Sequence, residues 1–385
     1  MQANKFNWVG DLQWGSTGKG AAAVYLATHY GATHVSTTNL PNAGHTGIIG
    51  DKKFISKIIP TSGMINACTP APSAVRMKLA RDYERVKCYI GAGAGFFLER
   101  LLQEVEECNL APNELKIHPR AVVVTEDHRS AEISGSISTK HIASTMQGSA
   151  AAKIDKMMRK ADVKLARDYE ELKPYIYDGN MAEHVCDTIK YNPNCVWMHE
   201  GSQGFSLGVD HGSHFPECTS RECTVMQSMA DMGVPPSLVG DVIGVMRPYP
   251  IRVGNVVENG KEVGKSGGHY DDHHEISWDD VQKMAGYPST WNDGAGLSEL
   301  TTVTKRVRRV FTFSMKQIQQ AVKINGITKI YLNFANYIDY SIYGKNHVNY
   351  VTDKIWDFIY NIEDNTGVKV GWIGTGPTIE DVIEL

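Results

Sequence analysis

Apolar runs alternate with helix-compatible segments along most of the chain. The run Phe6–Gly10 predicts a first strand, and the alanine-rich stretch from Ala21 to Tyr30, which ends at Gly31, predicts a helix. Further strands are predicted at Ala121–Thr125, Cys195–His199, Leu238–Met246 and Lys329–Phe334, and further helices at Phe97–Glu107 and Ala150–Arg159. Because strands that alternate with helices pair in parallel, the pattern predicts an α/β fold around a mainly parallel sheet.

Residues 253–293 interrupt this alternation with Gly, Asp, His and other polar residues. We interpret them as a surface excursion that carries a short helix near Ser277–Met284, with Ser277 as its N-cap. The run from Asp271 to Glu275 contains metal-ligating residue types. Neighbouring side chains point in different directions, however, and one ion seldom binds all of them, so we favour a polar loop over a metal cluster.

Composition narrows the functional classes. The chain has 385 residues, of which 42% are hydrophobic and 21% charged, with a net charge of −4. This is the balance of a folded globular protein, and it offers no basic field to hold nucleic acid. No apolar run is long enough to span a membrane, and the N-terminus does not resemble a signal peptide. Seven cysteines without C-x-x-C spacing indicate reduced thiols, so we expect a cytoplasmic protein.

The strongest candidate for phosphate binding is the glycine loop Gly15–Gly20, which follows the first predicted strand and precedes the first helix. Its backbone N–H groups and the helix N-terminus can converge on an anion, and Lys19 can reach a phosphate. The spacing differs from a standard phosphate loop, because Gln13 and Gly20 occupy the positions of the first glycine and of the Ser or Thr. A plain turn between strand and helix is the alternative.

Three other motifs add candidate chemistry. The loop Asn42–Thr46 presents His45, a candidate general acid, although a loop histidine is more often simply solvated. The segments Glu200–Gly204 and Asp210–Gly212 follow a predicted strand, where open α/β sheets bind ligands. The basic run Thr301–Arg309 fits a solvated or nucleic-acid-binding face and a site for carboxylates and phosphates about equally well.

Taken in order, these motifs resemble the adenylosuccinate synthetase family across essentially the whole chain. The resemblance rests on Gln13-Trp14-Gly15-x-x-Gly18-Lys19-Gly20, Asn42–Thr46, Ile59-Pro60, Ser62-Gly63, Glu200–Gly204, Asp210–Gly212, Thr304–Arg309 and Gly374–Pro377. It implies a single α/β domain, residues 1–385, built around a mostly parallel twisted sheet with helices on both faces, and a homodimer. It also implies a Mg²⁺-dependent ligase, which phosphorylates O6 of a 6-oxopurine nucleotide and then displaces that phosphate with the amine of aspartate.

The resemblance also implies residue roles. The catalytic residues would be Ser16, Lys19, His45 and Gln203, and Mg²⁺ would bind at Ser16 and Gly44. The purine nucleotide would contact Asn42, Ser144, Thr145, Gln203 and Thr219 and, across the dimer, Arg159 of the partner subunit. Aspartate would contact Thr301, Thr302, Val303, Thr304 and Arg306. The donor nucleotide would contact Gly15, Ser16, Thr17, Gly18, Lys19, Gly20, Gly44, His45, Thr46, Arg308, Asn333, Ala335, Asn336, Gly374, Gly376 and Pro377.

Two departures from the family pattern change the expected substrates. The family loop reads Trp-Gly-Asp-Glu-Gly-Lys-Gly, and this chain has Ser16 and Thr17 in place of the two acids. Serine is a far weaker base than the aspartate that takes the purine N1 proton. A serine there resembles the phage branch of the family, which makes the 2-aminoadenine precursor from dGMP. Late in the chain, Asn333 and Ala335 stand in place of the family's guanine-reading Lys-x-Asp pattern.

We therefore predict a ligase that converts dGMP, L-aspartate and ATP or dATP into N6-succinyl-2-amino-2′-deoxyadenylate, ADP or dADP, and phosphate. Loss of the guanine-reading carboxylate favours an adenine donor. The alternatives are a conventional adenylosuccinate synthetase, which uses inosine monophosphate and GTP, and a nucleotide-binding homologue without turnover. We favour the changed substrate over an inactive homologue because Lys19, His45, Gln203 and the arginine run are all present.

Overall fold

The structure, a computed structural model, describes residues 1–69, 85–134, 139–301 and 305–385. The strands, in chain order, are β1 (Phe6–Asp11), β2 (His34–Thr37), β3 (His45–Ile49), β4 (Lys52–Ser56), β5 (Lys87–Ile90), β6 (Gly95–Phe96), β7 (Leu115–Ile117), β8 (Val122–Val123), β9 (Trp197–Gly204), β10 (Val239–Met246), β11 (Ile251–Arg252), β12 (Val256–Glu258), β13 (Lys261–Gly264), β14 (Glu275–Ile276), β15 (Arg309–Phe311), β16 (Lys329–Leu332), β17 (Val370–Gly374) and β18 (Val382–Glu384). The α-helices of the described residues are α1 (Lys19–His29), α2 (Leu98–Glu107), α3 (Glu126–Ser134), α4 (Ser149–Met157), α5 (Met181–Tyr191), α6 (Val225–Met232), α7 (Trp278–Ala285), α8 (Met315–Asn325) and α9 (Asp353–Thr366).

Nine strands form the central sheet, in the order β18-β17-β16-β10-β1-β9-β2-β5-β7. All neighbours are parallel except β17 and β18, which are antiparallel at one edge. The prediction of a mostly parallel α/β sheet is therefore confirmed. Since β1 lies between β10 and β9, the carboxyl ends of these three strands meet in the middle of one sheet edge.

Both faces of the sheet are covered. Along β1, Val9 belongs to one hydrophobic cluster, whereas Phe6 and Trp8 belong to another, as the alternation of side chains along a strand requires. Helix α1 contributes Ala22 to the first cluster, and α8 contributes Ile318 to the second. Every residue of β1 is buried, including the polar residues Asn7 and Asp11, as expected for a central strand covered on both faces.

The sequence analysis misplaced one strand and missed five strands of the central sheet, namely β2, β5, β7, β17 and β18. The predicted strand Ala121–Thr125 shrinks to β8, which pairs with β6 outside the central sheet. The central strands β2 and β5 escaped notice because their sequences, HVST and KCYI, mix polar and apolar residues. In β2 the polar side chains are buried with internal partners; for example, Ser36 Oγ accepts a hydrogen bond of 2.9 Å from Trp197 Nε1.

The segment 253–293 packs against the domain through its helix. Ser277 caps α7 as predicted, and its hydroxyl accepts a hydrogen bond of 3.1 Å from the backbone N–H of Asp280. Trp278 and Val281 of α7 are buried in a small cluster with Ile251 of β11. The segment therefore adds a local core that helps to fix the end of β10 and the strands that follow it.

The polar run within this segment has protein partners. Asp271 forms an ion pair with Lys316, and Asp272 accepts hydrogen bonds from Ser314 Oγ and the backbone N–H of Lys316 at the start of α8. His273 is buried and stacks on the Phe311 ring. Within the described ranges, no group of three His, Cys, Asp or Glu side chains fits a metal ion. No helix of these ranges is long and apolar enough to cross a membrane, and the seven cysteines form no disulfide.

Buried histidines make the stability of the fold sensitive to acid. Burial lowers the pKa of His34 and of His273 to about 4 and that of His199 to about 3. Each of them therefore binds a proton in the unfolded chain at pH 5 but not in the folded chain. The free energy of unfolding is expected to be at its maximum with respect to these histidines above pH ~6.5. As the pH drops from there toward 4, each histidine should lower it by about 1.4 kcal/mol per pH unit.

Urea unfolding at pH 7.5 and pH 5 checks this for His199→Gln. The variant is expected to lose about 2 kcal/mol less stability than the wild type over this interval, because one acid-sensitive group is gone. His347→Gln, at an exposed position, is the control for removing a histidine from the surface. An identical loss in wild type and His199→Gln would contradict the prediction.

Candidate active site

The glycine loop lies at the carboxyl end of β1 and is organised by a carboxylate of that strand. Asp11 accepts hydrogen bonds from the backbone N–H groups of Gln13 (2.8 Å), Gly15 (3.3 Å) and Thr17 (3.3 Å). The Thr17 hydroxyl donates a fourth, of 2.7 Å, to the same carboxylate. Ser16 lies at the exposed tip of the loop with φ 58°, a left-handed conformation that few non-glycine residues adopt.

Two side chains hold the loop from the opposite side through its carbonyl groups. Arg247 Nη1, just after β10, donates to the carbonyl of Ser16 at 2.9 Å, and Asn333 Nδ2, just after β16, donates to that of Thr17 at 3.1 Å. Arg247 is fully buried, pairs with Glu299 and lies 4.1 Å from the centre of the Phe334 ring. The loop is thus fixed by residues that follow three neighbouring strands.

A lysine, a histidine and a glutamate form a chain beside the loop. Lys19 Nζ lies 2.8 Å from His45 Nε2, and His45 Nδ1 lies 2.6 Å from Glu200 Oε1. Thr61 donates to the same carboxylate from its backbone N–H (2.7 Å) and its hydroxyl (2.8 Å). Because Nδ1 faces a carboxylate, it carries the proton, and Nε2 is the nitrogen that faces Lys19.

Burial controls the charges of this chain. It lowers the pKa of Lys19, although Glu200 and Asp11 oppose the shift. Burial and the neighbouring lysine also lower the pKa of His45. Burial alone would raise the pKa of Glu200, but His45 and Lys19 hold it below the usual range. The arrangement is an oriented imidazole beside a desolvated ammonium, as a site that handles negative charge requires.

Two adjoining cavities, of about 280 and 290 Å³, open beside the loop. Of the candidate residues, the first is lined by Asn42, Ser144, Thr145, Gln203 and Thr219. The second is lined by Gly15, Ser16, Gly18, Lys19, Gly20, Gly44, His45, Thr46, Thr301 and Arg308, together with Asn42, Thr145 and Gln203, which both cavities share. The structure therefore brings these fifteen candidate residues together around two adjoining cavities.

Comparison with known proteins identifies the family of the chain. The adenylosuccinate synthetase family model matches residues 9–173 and 162–342. The chain belongs to the adenylosuccinate synthetase family. It is 36% identical over 389 residues to the N6-succino-2-amino-2′-deoxyadenylate synthase of Vibrio phage phiVC8, an alignment that covers 97% of this chain and 96% of the relative. The family resemblance read from the motifs is therefore confirmed.

Two further relatives come from the conventional and the phage branches of this family. It is 30% identical over 377 residues to the adenylosuccinate synthetase of Methanocaldococcus jannaschii, covering 97% of this chain and 94% of the relative. Among solved structures, it matches the cyanophage S-2L succinoaminodeoxyadenylate synthetase bound to dGMP and to dATP as an energy donor. That match has a TM-score of 0.78 and 31% identity, and it covers 100% of this chain and 96% of the other.

The basic run before β15 contacts the wall of the first cavity and lines the second. Arg306 Nη2 donates to the carbonyl of Ala143 at 3.1 Å, in the wall of the first cavity. Arg308 lines the second cavity, and burial lowers its pKa. Thr302, Val303 and Thr304 lie outside the described residues, so their contact with aspartate stays a prediction.

Several candidate donor-binding residues line neither cavity. The Asn333 amide donates hydrogen bonds to carbonyls of the glycine loop. Ala335 is fully buried, and Asn336 donates a hydrogen bond to the Tyr287 hydroxyl. Gly374 lies against the Asn333 side chain, where a Cβ would come 2.1 Å from its oxygen. The remaining candidates outside the cavities are Thr17, Gly376, Pro377, Arg159 and Arg306. Their roles stay predictions, and those of Asn333 and Gly374 would act through the loop.

Four charged residues in and around the candidate site were not singled out from the sequence. Glu200 was visible only as the first residue of a glycine-containing motif, and Asp11 only as the end of a strand. Arg247, which is buried, and Glu299, which is partly exposed, are 52 residues apart and form an ion pair that no local sequence pattern predicts. A charged residue at the carboxyl end of a buried strand is the signal that would have found Asp11 and Glu200.

We expect Glu200→Gln to lower kcat by about 100-fold with little change in KM, because the neutral amide no longer orients and polarises His45. Steady-state kinetics with the best substrates measures both constants. Glu104→Gln is the matched control: Glu104 is as deeply buried and accepts three backbone N–H groups, but it lies on α2 away from the cavities. It should lower thermal stability and leave kcat nearly unchanged, and an equal loss of kcat in both variants would contradict the assignment.

Proposed function

We propose that this chain is a ligase that makes N6-succinyl-2-amino-2′-deoxyadenylate from dGMP, L-aspartate and ATP or dATP, with release of ADP or dADP and phosphate. The observation that carries the proposal is Ser16 at the tip of the loop, next to an intact chain of Lys19, His45 and Glu200. The named phage synthase at 36% identity and the cyanophage enzyme solved with dGMP and dATP support it. The product serves the synthesis of DNA that contains 2-aminoadenine.

The reaction has two steps. The O6 atom of dGMP attacks the γ-phosphorus of the donor, and ADP or dADP leaves, which gives a 6-phosphoryl purine. The amine of aspartate then attacks C6, and phosphate leaves with O6. In both steps negative charge develops near O6, so that catalysis depends on groups that meet this charge.

The described side chains fit these demands. Lys19 and the N-terminus of α1 would hold the transferring phosphate, because an ammonium and helix N–H groups both attract anions. His45, oriented by Glu200, would support the charge on the phosphate and on the leaving oxygen. Gln203 lines both cavities and is positioned to contact the purine between them. Without a loop aspartate, the N1 proton would pass to a water held by Ser16 or to a donor phosphate oxygen.

The residues fit a Mg²⁺ ion that arrives with the donor nucleotide. The Ser16 hydroxyl and the Gly44 carbonyl are neutral oxygen donors at exposed positions of the second cavity. Mg²⁺ is commonly bound by one or two protein groups together with substrate phosphates and water. When bound, it neutralises charge on the phosphates.

The preference for an adenine donor follows from a missing carboxylate. Ala335 and Asn333, which align with the family's guanine-reading pattern, offer no negative group to accept the N1–H and 2-amino hydrogens of guanine. A donor that differs from the guanine acceptor also keeps the two nucleotides from exchanging sites. ATP and dATP both meet this requirement.

We also expect a homodimer in the host cytoplasm, in which Arg159 of the partner subunit reaches the nucleotide phosphate. Arg159 is the second residue after α4 and has a left-handed φ of 54°. The two residues before it, Met157 and Met158, are 76% and 64% exposed. Such exposed apolar residues favour a protein contact at the end of this helix.

Phosphate release with Mg²⁺ and aspartate tests the proposed reaction. Crossing the acceptors dGMP and inosine monophosphate with the donors ATP, dATP and GTP should give turnover with dGMP and an adenine donor. Turnover confined to inosine monophosphate with GTP would instead identify a conventional adenylosuccinate synthetase. The similarity to the adenylosuccinate synthetase of Methanocaldococcus jannaschii supports this alternative. No turnover with any pair would indicate a nucleotide-binding homologue.

We expect Ser16→Asp to raise the ratio of inosine monophosphate to dGMP turnover by about tenfold or more, because a carboxylate at the loop tip can take the purine N1 proton. Ser16→Asn is the matched control, since asparagine has nearly the same shape and also tolerates the left-handed backbone but cannot act as the base. Competition between the two acceptors in one reaction measures the ratio directly. Equal ratios in the two variants would argue against a base at this position.

A further inference from the structure

The carboxylate of Asp11 accepts hydrogen bonds from the backbone of the glycine loop. Asp11 is 2% exposed and is the last residue of β1. Its Oδ1 accepts from the N–H groups of Gln13 and Gly15, and its Oδ2 accepts from the N–H and hydroxyl of Thr17. In phosphate-binding glycine loops such N–H groups converge on the ligand. Here three of them converge on a side chain of the protein.

We infer that Asp11 is a positioning residue of the donor site: its carboxylate shapes the loop from within, and together with Thr17 it decides which side chains the loop tolerates. The inference rests on the proposed function only in that donor phosphates bind at this loop. The donor phosphates would meet the start of α1, where Gly18, Lys19 and Gly20 line the second cavity beside Asp11, Gly15 and Ser16.

Thr17 is the partner on which this arrangement depends. Its side chain is fully buried, and its hydroxyl makes the shortest of the four hydrogen bonds to Asp11, at 2.7 Å. The family loop has a glutamate at this position, which would bring a second carboxylate against Asp11 in a buried site. Two carboxylates so placed repel each other strongly. The pairing of Asp11 with Thr17 is therefore incompatible with the glutamate that the family loop has at position 17.

Asp11 also fixes the neighbouring strand against the loop. A Cβ on Gly204, at the end of β9, would lie 2.8 Å from Asp11 Oδ1 and 2.2 Å from the backbone nitrogen of Gly15. The loop, the carboxylate and the end of β9 are thus in direct contact, next to Gln203. Removing the Asp11 carboxylate would therefore loosen the loop both on the side that faces Gln203, the candidate purine-binding residue, and on the side that faces the donor phosphates.

The Thr17 series tests the hydrogen bond. Isothermal titration with ATP and Mg²⁺ measures donor binding without any acceptor. Thr17→Val keeps the shape but loses the hydroxyl, and we expect its Kd for ATP to rise about tenfold or more. Thr17→Ser keeps the hydroxyl and should bind ATP at least tenfold more tightly than Thr17→Val. Equal affinities in the two variants would overturn the inference.

Asp11→Asn tests the charge through the pH dependence of ATP binding. Lys19 is faced by Asp11 from β1, His45 from β3, Glu200 from β9, and Cys223. Without the Asp11 charge, the pKa of Lys19 falls further, so ATP binding should be lost at lower pH on the alkaline side than in wild type. Thr17→Val, which keeps the charge, should retain the wild-type alkaline limit. An unchanged limit in Asp11→Asn would reduce Asp11 to a merely structural role.

A double variant tests the exclusion of the family loop. Thr17→Glu should bind ATP about tenfold or more weakly than wild type, and the addition of Asp11→Asn should recover most of that loss. A double variant no better than Thr17→Glu would contradict the inference. If thermal unfolding shows that Asp11→Asn does not fold, the comparison of Thr17→Val with Thr17→Ser alone decides the inference.

The binding series can also give the expected results while no acceptor is turned over. That outcome would overturn the proposed reaction but would keep the positioning role of Asp11.

Discussion

Parallel pairing of β1 with β9 and β10 brings three buried charged side chains to one edge of the sheet. Asp11 closes β1, Glu200 lies midway along β9 in register with Val9 of β1, and Arg247 directly follows β10. Asp11 is met by the glycine loop that directly follows β1. Glu200 is met by His45 and Thr61, and Arg247 by the carbonyl of Ser16, all from distant parts of the chain. The active site is therefore assembled by the register of the sheet.

Buried charges also explain why the site is rigid. An ionised group inside a protein costs several kcal/mol unless every oxygen or hydrogen finds a partner, and removal of one partner leaves the other unpaired. Asp11 with four hydrogen bonds and Glu200 with three donors meet this condition. Loops that satisfy such groups have little freedom to move, so the reacting groups are held in place before substrates arrive.

The sequence predicted the site best where the functional residues form a motif of neighbouring positions along the chain. Glycines that allow a sharp turn before Lys19 and a glycine beside His45 are visible along the chain, and their order indicated the family. The partners of these residues were not visible, because Glu200 reaches His45 across more than 150 positions and Arg247 reaches Glu299 between separate segments. The strand β2 was missed for a related reason, since its buried polar residues are satisfied by distant side chains.

At Ser16, the residue that the backbone conformation favours differs from the residue that the proposed reaction requires. A left-handed φ of 58° suits glycine, asparagine and aspartate better than serine, at a conformational cost of roughly 1 kcal/mol. Local stability therefore favours a return to the family's aspartate, whereas the proposed reaction requires that the carboxylate be absent. Only continued selection for the altered substrate would keep serine at this position, and a lineage released from that selection should drift toward residues that the turn prefers.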